Sequence, residues 1–397
     1  MKSHQQVLTI NSGSSSIKFS LYKLGEKENL ILIGEAEEIG SSNSLFRIQD
    51  NAGNLLLHQA CELPDHSAAL GMIFDQLPGE TKNTLSVVGH RVVHGGSTHT
   101  RPALITPRLL SDLKHLIPFA PNHLPHEIKA IEAVTDNFPN LKQVACFDTA
   151  FHTHMPEVAK TFPLPEKFYK EGVYRYGFHG LSYEYICMEL EKIDPGINRN
   201  KLIIAHLGNG ASMAAVQNGM GIDTTMGFTP LGGLVMGTRS GDLDPGVILY
   251  CLKQKGMTVD QVAELLEFNA GLSGVSGISS DMKKLLDIRR SSPRSALAID
   301  LFCYQARKFI AALAAALGGL DTLVFTGGIG ERAAPVRWKI CKKLDFIGIR
   351  LHPGHNETHA PVISKEDSPV TVRVMHTNEE LMIARHTAKL IEQEKNC

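Results

Sequence analysis

Hydrophobic residues in this chain gather into short β-branched runs that break off at small polar turns. Val7 to Ile10 is one such run and ends in Asn11-Ser12-Gly13-Ser14-Ser15-Ser16. Beyond it Ile17, Phe19 and Leu21 alternate with Lys18, Ser20 and Tyr22, which predicts strand, Gly turn, strand. The same plan returns at Leu202 to Ala205, Leu207-Gly208-Asn209-Gly210-Ala211-Ser212, and a second strand from Met213 to Val216 closed by Asn218-Gly219. The repetition predicts a duplicated α/β domain, each half presenting a small-residue hairpin to one side of a cleft. A chance likeness of two hairpins is the competing reading.

Between the hairpins, Leu85 to Val93 reads as a buried strand that delivers Arg91, with His94-Gly95-Gly96 immediately after. A charge at the end of an apolar strand is costly unless it is used. Val144 to Phe147 is a strand ending at Asp148, and strand ends are where open α/β sheets gather ligands. Pro107 to Leu116 and Pro125 to Val134 have helical spacing, with the loop Pro121-Asn122-His123-Leu124 offering an imidazole between them. Ala296 to Leu317 has an apolar helical face and stops at Gly318. Strand Thr322 to Phe325 then feeds Thr326-Gly327-Gly328-Ile329-Gly330-Glu331 into another helix, a geometry whose free N–H groups suit phosphate. Pro353 to Asp367 reads as a polar surface loop and Val370 to Met375 as a strand. Glu379 to Glu392 reads as a closing helix with Glu379 and Glu380 in its favoured acidic first turn.

The stretch from Tyr176 to Gly246 holds the densest chemistry: Gly-rich turns, a lone Arg239, and Asp242 and Asp244. Glycines let a backbone approach phosphate oxygens and a guanidinium offers a planar fork of donors, so the stretch reads as a polyphosphate cradle. The bland alternatives are that Arg239 ties down Asp242 and Asp244, and that His179 is a core histidine. His152 and His154 stand two apart without a further ligand set, which favours a structural role over zinc.

At 397 residues the chain exceeds what one core supports, so two domains are expected. Lys plus Arg (40) balance Asp plus Glu (41), which excludes the electrostatic footprint of a nucleic-acid or anionic-membrane binder. Seven scattered cysteines with no C-x-x-C pair argue against a disulfide framework and fit a reducing cytoplasm. The start MKSHQQVLTINSG has no signal-peptide core, and the apolar run Phe309 to Leu317 is too short for a bilayer.

INSGSSSIKFSLY, GHRVVHGG, CFDTAFH, YGFHGLS, HLGNGAS, GFTPLGGLVMGTRSGDLDPG, FTGGIGE and TNEELMIAR occur in that order. Together they resemble the acetate kinase family, the acetokinases, over essentially the whole chain. The resemblance implies a two-domain fold shared with sugar kinases, Hsp70 and actin (ribonuclease H-like). It implies an acyl-side domain of residues 1–150 plus 380–397 and a nucleotide domain of residues 151–379. It further implies a homodimer and reversible Mg²⁺-dependent (or Mn²⁺-dependent) phosphoryl transfer between ATP/ADP and a short carboxylate. By the same resemblance Arg91, Asp148, His179, Arg239 and His123 are catalytic, Asn11 and Glu379 (or Glu380) serve the metal, and Val93, Asn122, Phe178 and Pro230 surround the acyl tail. Ser14, Ser16, Lys18, His206, Leu207, Gly208, Asn209, Gly210, Asp281, Met282, Lys283, Gly327, Gly328, Ile329, Gly330 and Arg332 fall to the nucleotide. The chemistry is consistent, since a carboxylate with a pKa near roughly 4 needs no general base and the task is to neutralise charge between two anions.

Four positions depart from the usual pattern of the family. Asn122 replaces a leucine and Leu124 an asparagine, which makes the acyl pocket more polar, while Lys283 and Arg332 replace an arginine and an asparagine near the nucleotide. Acetate is the leading acceptor, with Val93 favouring it over propionate. A kinase for propionate or a hydroxy acid is the runner-up. A nucleotide-driven binding module like an Hsp70 ATPase domain is the reading of another class, set against it that no partner region follows the last helix.

Overall fold

The computed structural model describes residues 5–25 and 28–395. Cys397 and the first four residues lie outside the described residues. The chain divides into two compact units, Met1–Ala150 with Asn378–Cys397, and Phe151–Thr377.

The first unit is built on β1 (Gln5–Ser12), β2 (Ile17–Leu24), β3 (Asn29–Glu37), β4 (Leu45–Asp50), β5 (Leu55–Ala60), β6 (Leu85–Val92), β7 (Ala103–Leu104) and β8 (Lys142–Phe147). They form one sheet in the order β5-β4-β3-β2-β1-β6-β8-β7. The second unit is built on β9 (Leu202–Leu207), β10 (Ala211–Gln217), β11 (Met220–Thr224), β12 (Thr322–Thr326) and β13 (Thr371–Val374), in the order β11-β10-β9-β12-β13. In both sheets the hairpin's first strand pairs antiparallel with the next strand and parallel with a later one, β1 with β2 and β6, β9 with β10 and β12. A further parallel strand follows in each, β8 beside β6 and β13 beside β12. The equivalent order makes the fold a duplicated α/β architecture of the sugar kinase, Hsp70 and actin type.

Central strands are apolar on both sides because both sheet faces are covered. In the first unit Leu8, Ile10 and Val88 join Ala69, Ile73, Ala130 and Val134 of the His66–Asp75 and Leu124–Asn137 helices in one core. One residue beyond Val88, Gly89 meets the Glu379–Lys395 helix so closely that a Cβ there would lie 2.3 Å from Thr387 Oγ1 and 2.7 Å from Ile383. In the second unit Tyr183, Ile186 and Leu190 of the Gly180–Ile193 helix pack on Leu202, Ile204, Ala214, Val216 and Val324.

The stretch from Pro353 to Asp367 is not the simple surface loop that its polarity predicts. It contains a short helix, Pro353–Glu357, and two isolated bridges, Leu351 to Ser364 and Val362 to Arg373. Asn356 is buried because the fully buried Arg337 donates to its Oδ1 at 2.9 Å and to its carbonyl at 2.8 Å. The long helix starts at Pro293 rather than Ala296, since Ser292 caps it and proline fits its first turn. Cys146, Cys187, Cys303 and Cys341 are buried free thiols, and Cys61 and Cys251 are free and partly exposed. No helix among the described residues is long and apolar enough to cross a membrane.

Candidate functional site

Three strand ends of the first unit converge on one guanidinium. Arg91 sits near the end of β6, Asp148 follows β8, and Asn11 lies near the end of β1. Asp148 is fully buried and its N–H donates to Val92 O at 3.0 Å, which pins the two strand ends together. Arg91 Nη2 donates to Asp148 Oδ2 at 2.5 Å and Nε to Oδ1 at 3.1 Å, while Nη1 donates to Asn11 Oδ1 at 3.2 Å. Glu379 Oε2, in the first turn of the last helix, stands 3.9 Å from Arg91 Nε. Burial works against the Arg91 charge, but Asp148 and Glu379 outweigh it and hold the guanidinium above its ordinary range. Burial raises the carboxyls of Glu379 and Glu380.

Behind Arg91 lies a carboxylate that the pattern reading missed. Glu127 is buried, accepts from Val93 N at 3.0 Å, and is pushed up to about 8, chiefly by burial. It belongs to the Leu124–Asn137 helix that begins just after Asn122 and His123. One side chain therefore links the His123 loop to the Arg91–Val93 strand end. An acidic residue in a first helical turn looks like ordinary capping in sequence, so nothing marked it.

The first hairpin turn closes with Gly13 N on Ser16 O at 2.7 Å, and His66 Nε2 donates to Gly13 O at 2.7 Å. Ser14 is exposed, and Lys18 points outward beside Glu35 at 3.7 Å.

In the second unit the β9–β10 turn, Gly208 to Gly210, faces a pair of stacked histidines. The rings of His179 and His206 are 4.3 Å apart at an interplanar angle of 17°. His179 takes the left-handed backbone conformation at φ 58°, rare outside glycine, where it opens the Gly180–Ile193 helix. Its Nδ1 is 2.7 Å from Ser212 Oγ, and Ser212 in turn meets Tyr183 Oη. His206 Nδ1 is 2.8 Å from Ser182 Oγ, which lies 2.8 Å from Thr377 Oγ1. Arg239 Nη1 donates to Pro230 O at 2.7 Å. A Cβ on Gly210 would lie 3.0 Å from Arg239 Nη2 and 3.4 Å from His179 Nε2, so both donors converge on that turn. Asp242 instead accepts from Gly233 N at 2.7 Å and Asp244 caps its own helix through Gly246 N at 2.8 Å, which speaks against the reading of Arg239 as their tie.

The Gly327–Arg332 helix follows β12 directly, with Gly327 at φ 76° and Gly328 exposed. Glu331 stitches this turn to the segment after β13, accepting from Gly327 N at 3.0 Å, Thr377 N at 3.3 Å and His376 Nδ1 at 2.5 Å. Arg337 donates to the carbonyls of Gly330 and Glu331, each at 2.9 Å, and burial lowers it to about 10. Ile329 is partly buried and Arg332 exposed. Asp281 caps the Met282–Ile288 helix by accepting from Lys283 N at 2.8 Å; Met282 is buried and Lys283 exposed. Asn209 is exposed and Leu207 buried. Val93 and Phe178 are buried, Pro230 is buried and Asn122 is half-buried.

The fit to a divalent cation can be judged from the donors. Among the described residues no cluster of three or more His, Cys, Asp or Glu side chains forms a cage. A magnesium ion prefers one or two carboxylates plus waters and substrate phosphates. Arg91, Asp148 and Glu379 sum formally to −1 (one positive, two negative), and the amide oxygen of Asn11 sits beside them. This hard-oxygen, net-negative set fits such an ion.

Residues 6–385 match the Acetokinase family. An acetate kinase of Rhodopseudomonas palustris (strain TIE-1) is 44% identical over 397 residues, covering 97% of this chain and 98% of its own. Acetate kinase from Porphyromonas gingivalis has a similar crystal structure, with a TM-score of 0.87 at 37% identity over 98% of this chain and 100% of that one. A propionate kinase from Francisella tularensis reaches a TM-score of 0.91 at 36% identity, over 97% of this chain and 99% of that one.

Proposed function

The chain belongs to the acetokinase family, a family of phosphotransferases, and from that premise we propose that it catalyses reversible phosphoryl transfer between ATP and acetate, giving acetyl phosphate and ADP. The observation that carries the proposal is the Arg91 cluster, a guanidinium held rigidly by Asp148, Asn11 and Glu379 at three strand ends. Asp148 fixes the plane of Arg91, so that its fork meets a carboxylate without first ordering a flexible side chain. Glu127 and Val93 hold the strand end behind it. His123 stands at the mouth of its helix as a further donor.

In the second unit, Gly208, Asn209 and Gly210 offer the β9–β10 turn to the nucleotide phosphates, and the Gly327 to Gly330 turn borders the nucleoside. Arg239 and His179 present donors to the equatorial oxygens of the phosphoryl group as charge moves across it. Asn11 and Glu379 would hold Mg²⁺, which when bound neutralises phosphate charge. The acid is already ionised near neutrality, so no protein base is required.

Propionate is the second reading, favoured by the likeness to a propionate kinase, and the half-buried Asn122 on the acyl side extends it to a hydroxy acid that its amide could bond. The test is ATP-dependent formation of an acyl phosphate, trapped by hydroxylamine, over a panel of short acids. Acetate is expected to give the highest kcat/KM; absence of product from every acid would sink the proposal.

A homodimer is part of the same reading. The Pro245–Lys253 helix is apolar yet buries none of its residues, with Val247 at 41% and Leu249 and Tyr250 at 51% exposure. Covering this face with a second copy removes the cost of leaving it wet. Light scattering at the mass of two chains is expected, and Leu249→Glu should return the protein to one.

A further inference from the structure

The two stacked histidines of the second unit share a wiring plan that the proposed reaction alone leaves unexplained. Each ring offers its Nδ1 to a serine hydroxyl, and each serine is backed by a second hydroxyl. His179 meets Ser212 at 2.7 Å and Ser212 meets Tyr183; His206 meets Ser182 at 2.8 Å and Ser182 meets Thr377 at 2.8 Å. Ser212, Ser182 and Tyr183 are fully buried, and the Tyr183 ring belongs to the apolar core of this unit. A buried serine has one proton and must place it on one of its two partners.

We infer that Ser212, backed by Tyr183, is a positioning residue that locks His179 in the tautomer carrying its proton on Nε2. The inference rests on the proposed role of His179 as a donor to the transferring phosphoryl group. The direction of the relay follows from acidity. A phenol is a stronger acid than an alkyl hydroxyl, so Tyr183 gives its proton to Ser212 Oγ and the serine proton goes to Nδ1. An imidazole that accepts at Nδ1 must donate at Nε2 when neutral.

That atom is the one aimed at the hairpin. His179 Nε2 would be 3.4 Å from a Cβ on Gly210, the point at which Arg239 Nη2 would come within 3.0 Å. His206 Nε2 would be 3.8 Å from a Cβ on Gly208 in the same turn. The opposite tautomer would aim a lone pair at the phosphate oxygens and repel them. Face-to-face stacking at 4.3 Å favours two neutral rings over two imidazoliums, so the tautomer, rather than a permanent charge, decides what this pair offers an anion.

The test reads tautomers directly. Long-range ¹H–¹⁵N spectra of the full chain, ¹⁵N-labelled at histidine, would be recorded near pH 8, with the His179 signals assigned by their loss in His179→Gln. In the unsubstituted protein His179 is expected to be protonated at Nε2 and unprotonated at Nδ1. In Ser212→Ala the Nδ1-protonated form should rise several-fold, kcat should fall about tenfold or more with KM for ATP nearly unchanged, and Ser212→Thr should restore both. Tyr183→Phe, which keeps the ring in the core, should shift the tautomer in the same direction to a smaller extent. Protonation at Nδ1 in the unsubstituted protein, or an unchanged tautomer in a folded Ser212→Ala, overturns the relay. Because the spectra are taken on the resting protein, an Nε2-protonated His179 in a chain that makes no acyl phosphate would support the relay and refute the functional reading alone.

Discussion

The two units repeat one strand order around one hairpin, yet they give their arginines opposite company. Arg91 is bonded to the carboxylate of Asp148 and the amide of Asn11, with Glu379 beside it, so the cluster is formally negative. Arg239 is anchored through Nη1 to a neutral carbonyl, that of Pro230, and its neighbours at the turn are the imidazole of His179 and the backbone of Gly210. The first arrangement immobilises a guanidinium and leaves a net charge suited to a cation. The second holds a guanidinium against a backbone carbonyl and an imidazole where phosphate is expected, with the carboxylate of Glu267 close enough to feel its charge. Duplication supplied the scaffold twice, and the polar residues at the strand ends made the halves differ.

The largest effect should separate the two arginines. Arg91→Ala and Arg239→Ala are each expected to lower kcat by about 10² or more, as removal of a charge-stabilising donor does. Only Arg91→Ala should also destabilise the fold, by about 3 kcal/mol or more, because it strands the fully buried Asp148. Calorimetry alongside turnover checks both, and equal melting temperatures would erase the distinction.

Next come the glycines of the two hairpins. Gly210→Ala pushes a methyl against the tips of Arg239 and His179 and should reduce kcat by about tenfold, since small misplacements of catalytic groups are expensive. Gly13→Ala meets Ser16 Oγ at 3.2 Å, a side chain that can turn away, and the Ser16 carbonyl at an ordinary 3.5 Å, and should cost at most a few-fold. Comparable losses would show that the first hairpin is as tightly constrained as the second.

Acid should act on both units through one buried histidine each. His90, bonded to Gln143 at 2.8 Å, and His152, bonded to Phe178 O at 3.0 Å, are both lowered to about 4 by burial. A histidine whose folded pKa is depressed contributes stability that is complete above its unfolded value near 6.5 and is lost as pH falls toward 4. Denaturation at stepped pH should show that decline, of the order of 3 kcal/mol per group at most, and His90→Gln should flatten its share. The smallest effect is on specificity: Asn122→Leu should move the kcat/KM ranking toward acetate by several-fold, about the worth of one polar-for-apolar exchange in a pocket.

The strand ends were legible because physics forces a signal there. An arginine or aspartate closing an apolar run is conspicuous, and Arg91, Asp148 and both hairpins stood out for that reason. Supporting residues carried no such mark. Ser212 sits in a strand of small residues, Tyr183 looks like one more helix core position, and Glu127 resembles a first-turn acid. Their roles depend on partners 29 to 34 positions away in the chain, which no local pattern encodes. The stretch around Asn356 misled for the converse reason. Its polarity argued for exposure, whereas a buried arginine supplies the donors that water would otherwise provide.

The Glu379–Lys395 helix has a consequence for how the protein is made. It packs on β1, β2, β6 and β8 and brings Glu379 to Arg91, although it leaves the ribosome only after the whole middle unit. The middle unit is one contiguous segment and can mature during synthesis, while the opening sheet must wait with a bare face until the Glu379–Lys395 helix emerges. Nascent chains halted near residue 377 should therefore resist protease across the middle unit and be cut within the first, and a chaperone that shields exposed sheet should be most needed in that interval.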